Sequence, residues 1–500
     1  MTSPPEAGAM RRLGRESAAY AVGGALSRVV NLLLLPAYTA AIPPREYGAL
    51  AALLLLAALV TPLATLGLGA STGIAYFDRS GDTARARVVW TAAAVTLVTA
   101  AALVVIALTA SERLSDALFE SPEYRYPATL ALLSAAASAV SQPLMLGVQF
   151  RRQVSRYVWI SAATATFGGA LGLVLVALAG RGVQGVLEAQ LASQLLLLGV
   201  GAREAWIAGR PGFDMRTARD LLRLGLPLVP SFLFLLVLQQ GNQFLLKELR
   251  GLRELGVYIV GHNLGLVMSL VVSGFTTAWM PFFLSFSRDP ASGLSHLSRA
   301  MTYYVIGAGS LTLLFFVWAR PAVGLLAADS YQDAYVAVGY SAAAYFLVGV
   351  FSVLLPPLYY AKQVWAVTLI QGVGVLVAVS LQAKLIGQLG VLGAGIGLAA
   401  GFLVLCLLLY AWLNLFQARY VRIPYDWRRI LAFSSLITLG AIAFSLPVDV
   451  SALAAIAWSL GASAIVLVCT WMALNADERR ALTVGIRNAL CGQAKDPARL

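Results

Sequence analysis

The chain has 500 residues, of which 59% are hydrophobic and 12% charged, and its mean hydropathy is +0.79. This composition excludes a water-soluble protein, because soluble domains carry about 25% charged residues. In a soluble chain the net charge of +13 would favour nucleic-acid binding, whereas in a membrane protein it reflects Lys and Arg in cytoplasmic loops. We therefore expect membrane lipids and no nucleic acid among its partners.

Fourteen stretches are long and apolar enough to cross a bilayer as helices, since each crossing needs about 20 apolar residues. They lack the period-two alternation of a strand-built barrel, so the predicted fold class is all-α, a polytopic membrane protein of about 14 transmembrane helices. Tilt, helix extension or breaks at Pro62 or Pro143 would accommodate the longer stretches. The predicted spans are 17–41, 47–76, 88–110, 127–149, 157–179, 183–202, 221–246, 256–284, 301–327, 334–360, 364–386, 389–416, 428–447 and 451–475.

The distribution of positive charge predicts the orientation of these spans. Alternate connections, counted together with both termini, carry 26 Lys and Arg residues, the opposite connections carry 9, and one further arginine lies inside a span. Cytoplasmic loops hold the excess of Lys and Arg. Both termini are therefore predicted to be cytoplasmic.

An internal repeat relates the two halves of the chain. At an offset of 208 residues, Arg45–Gly48 aligns with Arg253–Gly256, and Gly182–Gly185 aligns with Gly390–Gly393. Chance similarity among glycine-rich connections is the alternative, but a shared offset is typical of transporters built from repeats. The predicted domains are an N-terminal six-helix lobe at 1–210, a C-terminal six-helix lobe at 211–418, and an extra helix pair with a cytoplasmic tail at 419–500.

Arg28 is the most informative single residue, because a guanidinium deep in a span is costly unless it faces water or an anion. Gly24, Arg28, Asn31 and Leu35 share one helix face by their spacing. This face predicts substrate contact by Arg28 and Asn31. The alternative is an arginine that snorkels or binds neighbouring carbonyl groups.

Other polar residues within spans are further candidates. The offset of 208 carries Asn31 onto Gln239, which begins the amide-rich stretch Gln239–Gln243; Gln239 and Asn242 are therefore predicted to bind substrate, with helix–helix hydrogen bonding as the alternative. Glu188 is a candidate for ion coupling, for pairing with Arg28, or for an ordinary interhelical contact. His262 is interpreted as a polar span residue.

Motifs for nucleotide hydrolysis and metal binding are missing from the sequence. None of the four lysines stands in a G-K-[ST] arrangement, which the phosphate-binding loop of an ATPase requires. The two histidines, His262 and His296, are too few for a histidine-built zinc site and lie outside any H-E-x-x-H motif. We predict no cofactor, no metal site and no catalytic residues.

The stretch from Ser17 through Leu32–Thr39, followed by Pro43–Gly48, resembles the polysaccharide-transport, Wzx-type oligosaccharide flippase family. The glycine connections at 182–185 and 390–397 resemble the turns of that family before its sixth and twelfth helices. The resemblance covers most of the chain and extends to the superfamily of multidrug, oligosaccharidyl-lipid and polysaccharide exporters. It implies a V-shaped pair of lobes that alternates between inward and outward openings in a bacterial inner membrane.

The resemblance further implies export of an undecaprenyl-pyrophosphate-linked glycan for cell-surface polysaccharide biosynthesis, with glycan-assembly proteins as partners. Arg28 suits a pyrophosphate, which favours this branch over cation-coupled multidrug extruders. The lipid II flippase branch stays an alternative, although the second span here lacks an internal arginine of that branch's arginine pattern. A membrane polymerase or ligase is a further alternative. It would be expected to carry a large external loop, whereas 111–126 is short. The protein is therefore predicted to be a transporter and not an enzyme.

Overall fold

The structure is a computed structural model that describes residues 30, 32–151, 153–286, 289–361, 363, 365–416, 420–446, 452–475 and 478–480. Within these residues the regular secondary structure is helical, and no strand occurs. The predicted fold class, an all-α polytopic membrane protein, is confirmed.

The described part of the first half contributes eight helices, and the first of them is the end of the predicted first span, most of which lies outside the described residues. Their bounds are α1 Leu32–Ala41, α2 Pro44–Thr65, α3 Leu68–Asp78, α4 Asp82–Thr109, α5 Ser111–Phe119, α6 Arg125–Phe150, α7 Val154–Leu173 and α8 Gly182–Ala208.

A short amphipathic helix connects the two halves, and the second half is followed by one further helix pair. Their bounds are α9 Met215–Gly225, α10 Val229–Arg250, α11 Leu252–Gly265, α12 Met268–Leu284, α13 Pro290–Val317, α14 Ala319–Leu326, α15 Tyr335–Leu354, α16 Pro356–Tyr360, α17 Trp365–Leu415, α18 Trp427–Ser445 and α19 Ala452–Ala473.

Local sequence signals set several helix starts. Pro44 occupies the first position of α2, where its fixed φ angle is already helical and its missing N–H costs nothing. Gly81 and Gly251 precede α4 and α11 with φ of 92° and 88°, a region open to glycine at little steric cost. Asp214 caps α9 by accepting a 3.0 Å hydrogen bond from the Thr217 amide, which satisfies a free N–H of the first turn.

Ten helices of the described chain are long and apolar enough to cross a membrane, and the bent pair α11–α12 makes an eleventh. α17 is one of the ten, but its 51 residues would extend about 76 Å, more than twice the roughly 30 Å hydrocarbon layer. Gly390, with φ 55° and ψ −126°, breaks the helical geometry in its middle. α17 therefore covers two of the predicted spans, the eleventh and the twelfth.

The two prolines inside long predicted spans, Pro62 and Pro143, differ in their effect on helix continuity. α2 contains Pro62 and ends three residues later, at Thr65, where Leu66 and Gly67 adopt positive φ angles before α3 begins. The predicted second span is therefore broken after Pro62. Pro143, in contrast, lies within the continuous helix α6.

The repeat is visible in the packing. In the first half α6 packs on α2, α4 and α8, and in the second half α15 packs on α11, α12, α13 and α17. Each half thus has a central helix, and the two central helices are related by the offset found in the sequence. The extra pair lies outside this arrangement, because α18 and α19 both pack on α13.

Two equivalent glycines show the same geometry in detail. Gly182 starts α8 with φ 50°, and Gly390 breaks α17 with φ 55°. A Cβ atom on Gly182 would lie 3.5 Å from the Glu46 carboxylate, and one on Gly390 would collide with the Glu254 carboxylate. Both acids therefore face the start of a helical segment, where a negative charge is favourable.

Candidate functional site

The two halves meet where α2 crosses α11, with additional contact between α2 and α10. At the crossing a Cβ atom on Gly48 would overlap the carbonyl oxygen of Leu252, and one on Gly256 would overlap that of Pro44. Gly48 and Gly256 are 208 positions apart, and so are Pro44 and Leu252, so the contact is reciprocal. Backbones approach this closely only when the residues at the contact have no side chain.

A second contact beside this crossing joins α1 to the segment Asp329–Ala334. The Tyr331 hydroxyl donates a 2.6 Å hydrogen bond to the carbonyl oxygen of Ile42, and Tyr331 is fully buried. Its ring packs edge-on against Tyr47 at 5.9 Å between centroids. The Ala328 amide donates to the Thr39 hydroxyl at 3.3 Å. We call these two contacts together the interlobe seam.

A cavity of about 460 Å³ lies next to the interlobe seam, between α1, α2, α7 and α8 of the first half and the break between α11 and α12 of the second. We call it the interlobe cavity. Apolar and small side chains form most of its wall. Its polar lining residues are Tyr38, Tyr47, Gln190, Ser193, Gln194 and Asn263.

The described polar lining of the interlobe cavity is made of neutral hydrogen-bonding groups. Gln194 leaves its buried Oε1 atom without a hydrogen-bond partner in the described chain, so an acceptor remains for a ligand. Ser193 donates to the Thr164 carbonyl oxygen at 2.8 Å. No carboxylate, lysine or arginine occurs among the described lining residues. This chemistry suits a ligand with many hydroxyl groups.

Two predicted substrate-binding residues, Arg28 and Asn31, lie outside the described residues. The cavity wall includes Leu32 and Leu35 of α1. Arg28 precedes these by four and seven positions, which is the spacing of one helix face. Substrate contact by Arg28 and Asn31 stays a prediction, and the sequence spacing is compatible with it.

Gln239 and Asn242, the predicted amides of the second half, lie on α10 and are not among the residues that line the interlobe cavity. Gln239 is half-buried. Asn242 is fully buried, and its Nδ2 atom donates to the Tyr258 hydroxyl at 2.5 Å. His262 Nδ1 lies 3.3 Å from that hydroxyl and 3.1 Å from Ser341 Oγ. Asn242 therefore belongs to a buried network that links three helices.

Glu188, the residue predicted for ion coupling, sits in the second turn of α8. Its carboxylate accepts hydrogen bonds from the Arg181 guanidinium at 2.7 and 2.8 Å and from the Tyr126 hydroxyl at 3.1 Å. The described chain contains no group of three His, Cys, Asp or Glu side chains that could hold a metal ion. Ion coupling through Glu188 stays a prediction.

Gln190, Gln194 and Asn263 line the cavity but are absent from the predicted site. A signal for the first two was present, since two amides four residues apart lie on one face of the predicted sixth span. The sequence signal for Asn263 as a cavity residue was weaker. Asn263 is exposed although its neighbour His262 is buried, and it lies near the end of α11, where the helix breaks.

Comparison with known proteins identifies the family to which this architecture corresponds. Residues 13–287 match the sequence model of a family described as "Polysaccharide biosynthesis protein". Among curated proteins, none matches the chain.

Several solved structures share the fold. The lipid II flippase MurJ in an inward closed conformation is 13% identical, with a TM-score of 0.66 over 90% of this chain and 98% of that one. An inward-facing multidrug resistance transporter of the MATE family is 16% identical, with a TM-score of 0.60 over 82% and 96%. A MOP superfamily transporter from Pyrococcus furiosus is 15% identical, with a TM-score of 0.56 over 84% and 97%. At these identities the likeness shows the fold.

Proposed function

We propose, because the chain belongs to the polysaccharide biosynthesis protein family, that it is a flippase for a lipid-linked oligosaccharide. The substrate would be an undecaprenyl-pyrophosphate-linked glycan, moved by alternating access across a bacterial plasma membrane for cell-surface polysaccharide biosynthesis. The fold, which is similar to that of a lipid II flippase and of multidrug transporters, supports movement of a substrate past the membrane without change of its bonds.

The observation that carries this proposal is the chemistry of the interlobe cavity. Its described polar groups are amides and hydroxyls, contributed by Gln190, Gln194 and Asn263 together with two tyrosines and a serine. Sugar hydroxyl groups both donate and accept hydrogen bonds, and neutral amides can match either role. Providing such partners avoids the cost of moving unpaired sugar hydroxyls through hydrocarbon.

The phosphate groups of the substrate need a cationic partner. Arg28 supplies a guanidinium that can form paired hydrogen bonds with a pyrophosphate. In this proposal Asn31 stands beside it, and Gln239 and Asn242 belong to the corresponding helix of the second half. Because Asn242 is buried, its role in this proposal is to hold α10 in place through helix packing.

The interlobe seam provides the gate that alternating access requires. It joins the first residues of α2 and α11, at the end of the molecule opposite the arginines of 79–87 and 151–156. With both termini in the cytoplasm, as the charge distribution predicts, the seam closes the interlobe cavity toward the outside. Export then requires α2 and α11 to separate.

The membrane potential is a sufficient source of energy for this movement. A headgroup with a charge of about −2 gains roughly 4.6 kcal/mol per 100 mV when it moves to the positive side of the membrane. Coupling to a proton or sodium ion through Glu188 is the alternative. For such coupling, Glu188 would have to give up its hydrogen bonds to Arg181 and Tyr126 and bind the ion instead.

A multidrug extruder is the second candidate, and the same cavity argues against it. Cationic drugs are best matched by carboxylates, and none occurs among the described lining residues. Lipid II would present similar sugar and pyrophosphate groups to the cavity, so the lipid-linked glycan is proposed as a class. Bond-forming chemistry, as in a polymerase, has no candidate residues among the described residues of this cavity wall.

Transport by purified protein in liposomes tests the proposal. A fluorescent undecaprenyl-pyrophosphate-linked oligosaccharide should cross faster in vesicles that hold the protein, with its glycan unchanged. Gln194→Leu should slow this movement about threefold to tenfold, the range for loss of one neutral hydrogen bond. Gln388→Leu is the matched control, since Gln388 is exposed on α17 and lies outside the cavity wall. Equal crossing in protein-free vesicles, or export of a cationic dye instead, would contradict the proposal.

A further inference from the structure

A second cavity, of about 680 Å³, lies inside the first half at the arginine-rich ends of α3, α4, α6 and α8. It shares no lining residue with the interlobe cavity, so the transport path does not explain it. We call it the basal cavity. Its wall consists of Tyr76, Phe77, Asp82, Arg85, Ala86, Val89, Gly147, Phe150, Arg151, Ala205, Ile207 and Ala208.

Arg85 and Tyr76 form the polar part of this wall. The Arg85 guanidinium lies 5.4 Å from the centre of the Tyr76 ring, and its Nε donates to the Arg79 carbonyl oxygen at 3.0 Å. No carboxylate lies within ion-pair distance of Arg85 in the described chain. Tyr76 is 6% exposed, and its hydroxyl makes no hydrogen bond to a described residue. Both groups therefore retain donors for a ligand.

The other charged groups around the basal cavity leave it positive. Arg151 lines it while donating to the carbonyl oxygens of Gly147 and Glu204 at 3.2 and 3.1 Å. The Glu204 carboxylate is buried and is held by Arg156 at 2.7 Å, by Arg203 at 3.6 Å and by Arg151 at 4.0 Å. Asp82 is the acid among the described residues of the wall, so two described guanidinium groups, those of Arg85 and Arg151, face one carboxylate there. An anion is the favoured ligand.

The apolar part of the wall indicates which anion. Phe77 and Ile207 line the basal cavity and are 59% and 55% exposed. Beside a row of arginines at a helix end, such side chains lie at the boundary between headgroups and hydrocarbon. A ligand that fills this site therefore combines an anionic group with an acyl chain.

We propose that the basal cavity binds the phosphate of a membrane phospholipid, with Arg85 and the Tyr76 hydroxyl as donors and the acyl chain beside Phe77 and Ile207. Guanidinium and phosphate form charge-assisted, paired hydrogen bonds. The site is separate from the interlobe cavity. The proposal therefore does not rest on which substrate the protein transports.

Native mass spectrometry of the purified full-length protein tests this site, with short-chain phosphatidylglycerol as the probe. Arg85→Ala should weaken binding of the probe about tenfold, the loss expected for a charge-assisted hydrogen bond. Arg87→Ala is the matched control, because it removes the same charge two residues away from an exposed position outside the cavity wall. Equal weakening by both variants would show a general charge effect and overturn the proposal.

Two further probes separate phosphate recognition from its alternatives. Diacylglycerol, which lacks the phosphate, should bind at least tenfold more weakly than phosphatidylglycerol if the phosphate is recognised; equal binding would overturn the proposal. Glycerol 3-phosphate that binds as tightly as the lipid would assign the site to soluble phosphate esters and overturn the lipid assignment.

A fold defect in Arg85→Ala would not obscure the result. Tyr76→Phe removes only the hydroxyl and keeps the ring, which packs 5.1 Å from Phe150. This variant should keep its melting temperature and lose about threefold in affinity for phosphatidylglycerol, as expected for one neutral hydrogen bond. Unchanged binding by Tyr76→Phe and Arg85→Ala would show that the cavity does not recognise the phosphate.

Discussion

Gly256→Ala should open the interlobe seam. The added methyl group would overlap the Pro44 carbonyl oxygen, because the two atoms would be closer than 3.0 Å, a separation that real Cβ atoms essentially never show. Since backbone atoms form the contact, neither partner can move away by changing rotamer, and α2 and α11 must separate. Gly48→Ala should act in the same way against the Leu252 carbonyl oxygen.

The magnitude follows from the cost of inserting a methyl group into a closely packed contact. Overpacking of this kind costs about 1–3 kcal/mol. The cost falls only on the conformation in which the seam is closed, so it changes the ratio of open to closed molecules. A value of about 2 kcal/mol corresponds to a roughly 30-fold shift toward the open form. The two substitutions share one contact, so their effects should not add.

Electron–electron double resonance measures this shift directly. Spin labels at exposed positions 116 on α5 and 325 on α14 would report the separation of the two halves, in a background without native cysteines. Gly256→Ala should increase the population at long distance. Gly199→Ala is the control, because a methyl group there meets no atom within 4 Å.

Two results would refute this reasoning. The first is a distance distribution for Gly256→Ala that matches the Gly199→Ala control. The second is a lower melting temperature without a longer distance, which would show that the contact stabilises the fold and does not act as a gate.

Three further predictions concern stability, transport and topology. Gly182→Ala and Gly390→Ala should both lower the melting temperature, because each places a side chain at a positive φ angle, of 50° and 55°; an unchanged melting temperature in thermal unfolding would contradict this. Arg28→Ala should abolish most flipping per folded molecule in the liposome assay while Arg28→Lys restores part of it, whereas wild-type transport by Arg28→Ala would exclude substrate contact. Reporter fusions after residues 120 and 485 should place the first outside and the second in the cytoplasm, and a cytoplasmic signal at 120 would overturn the topology.

Much of the architecture was readable from the sequence, because the bilayer imposes a length and a composition on every crossing. Within the described residues the helices follow the predicted spans, except that the second span is broken after Pro62. The repeat found at an offset of 208 reappears in the reciprocal contact of Gly48 with Gly256. Glycine motifs were reliable guides here, since a missing side chain at a close approach or a positive φ angle leaves little choice of residue.

The lining of the cavity was decided by the tertiary structure. The predicted amide Asn242 turned out to bond Tyr258 inside the protein, while Gln190, Gln194 and Asn263 reach the cavity from separate helices. In a soluble protein the contrast between polar and apolar faces marks the inner side of a helix. In a membrane protein both the lipid and the helix interfaces are apolar, so the sequence of a span does not state which face is inside, and only helix packing settles it.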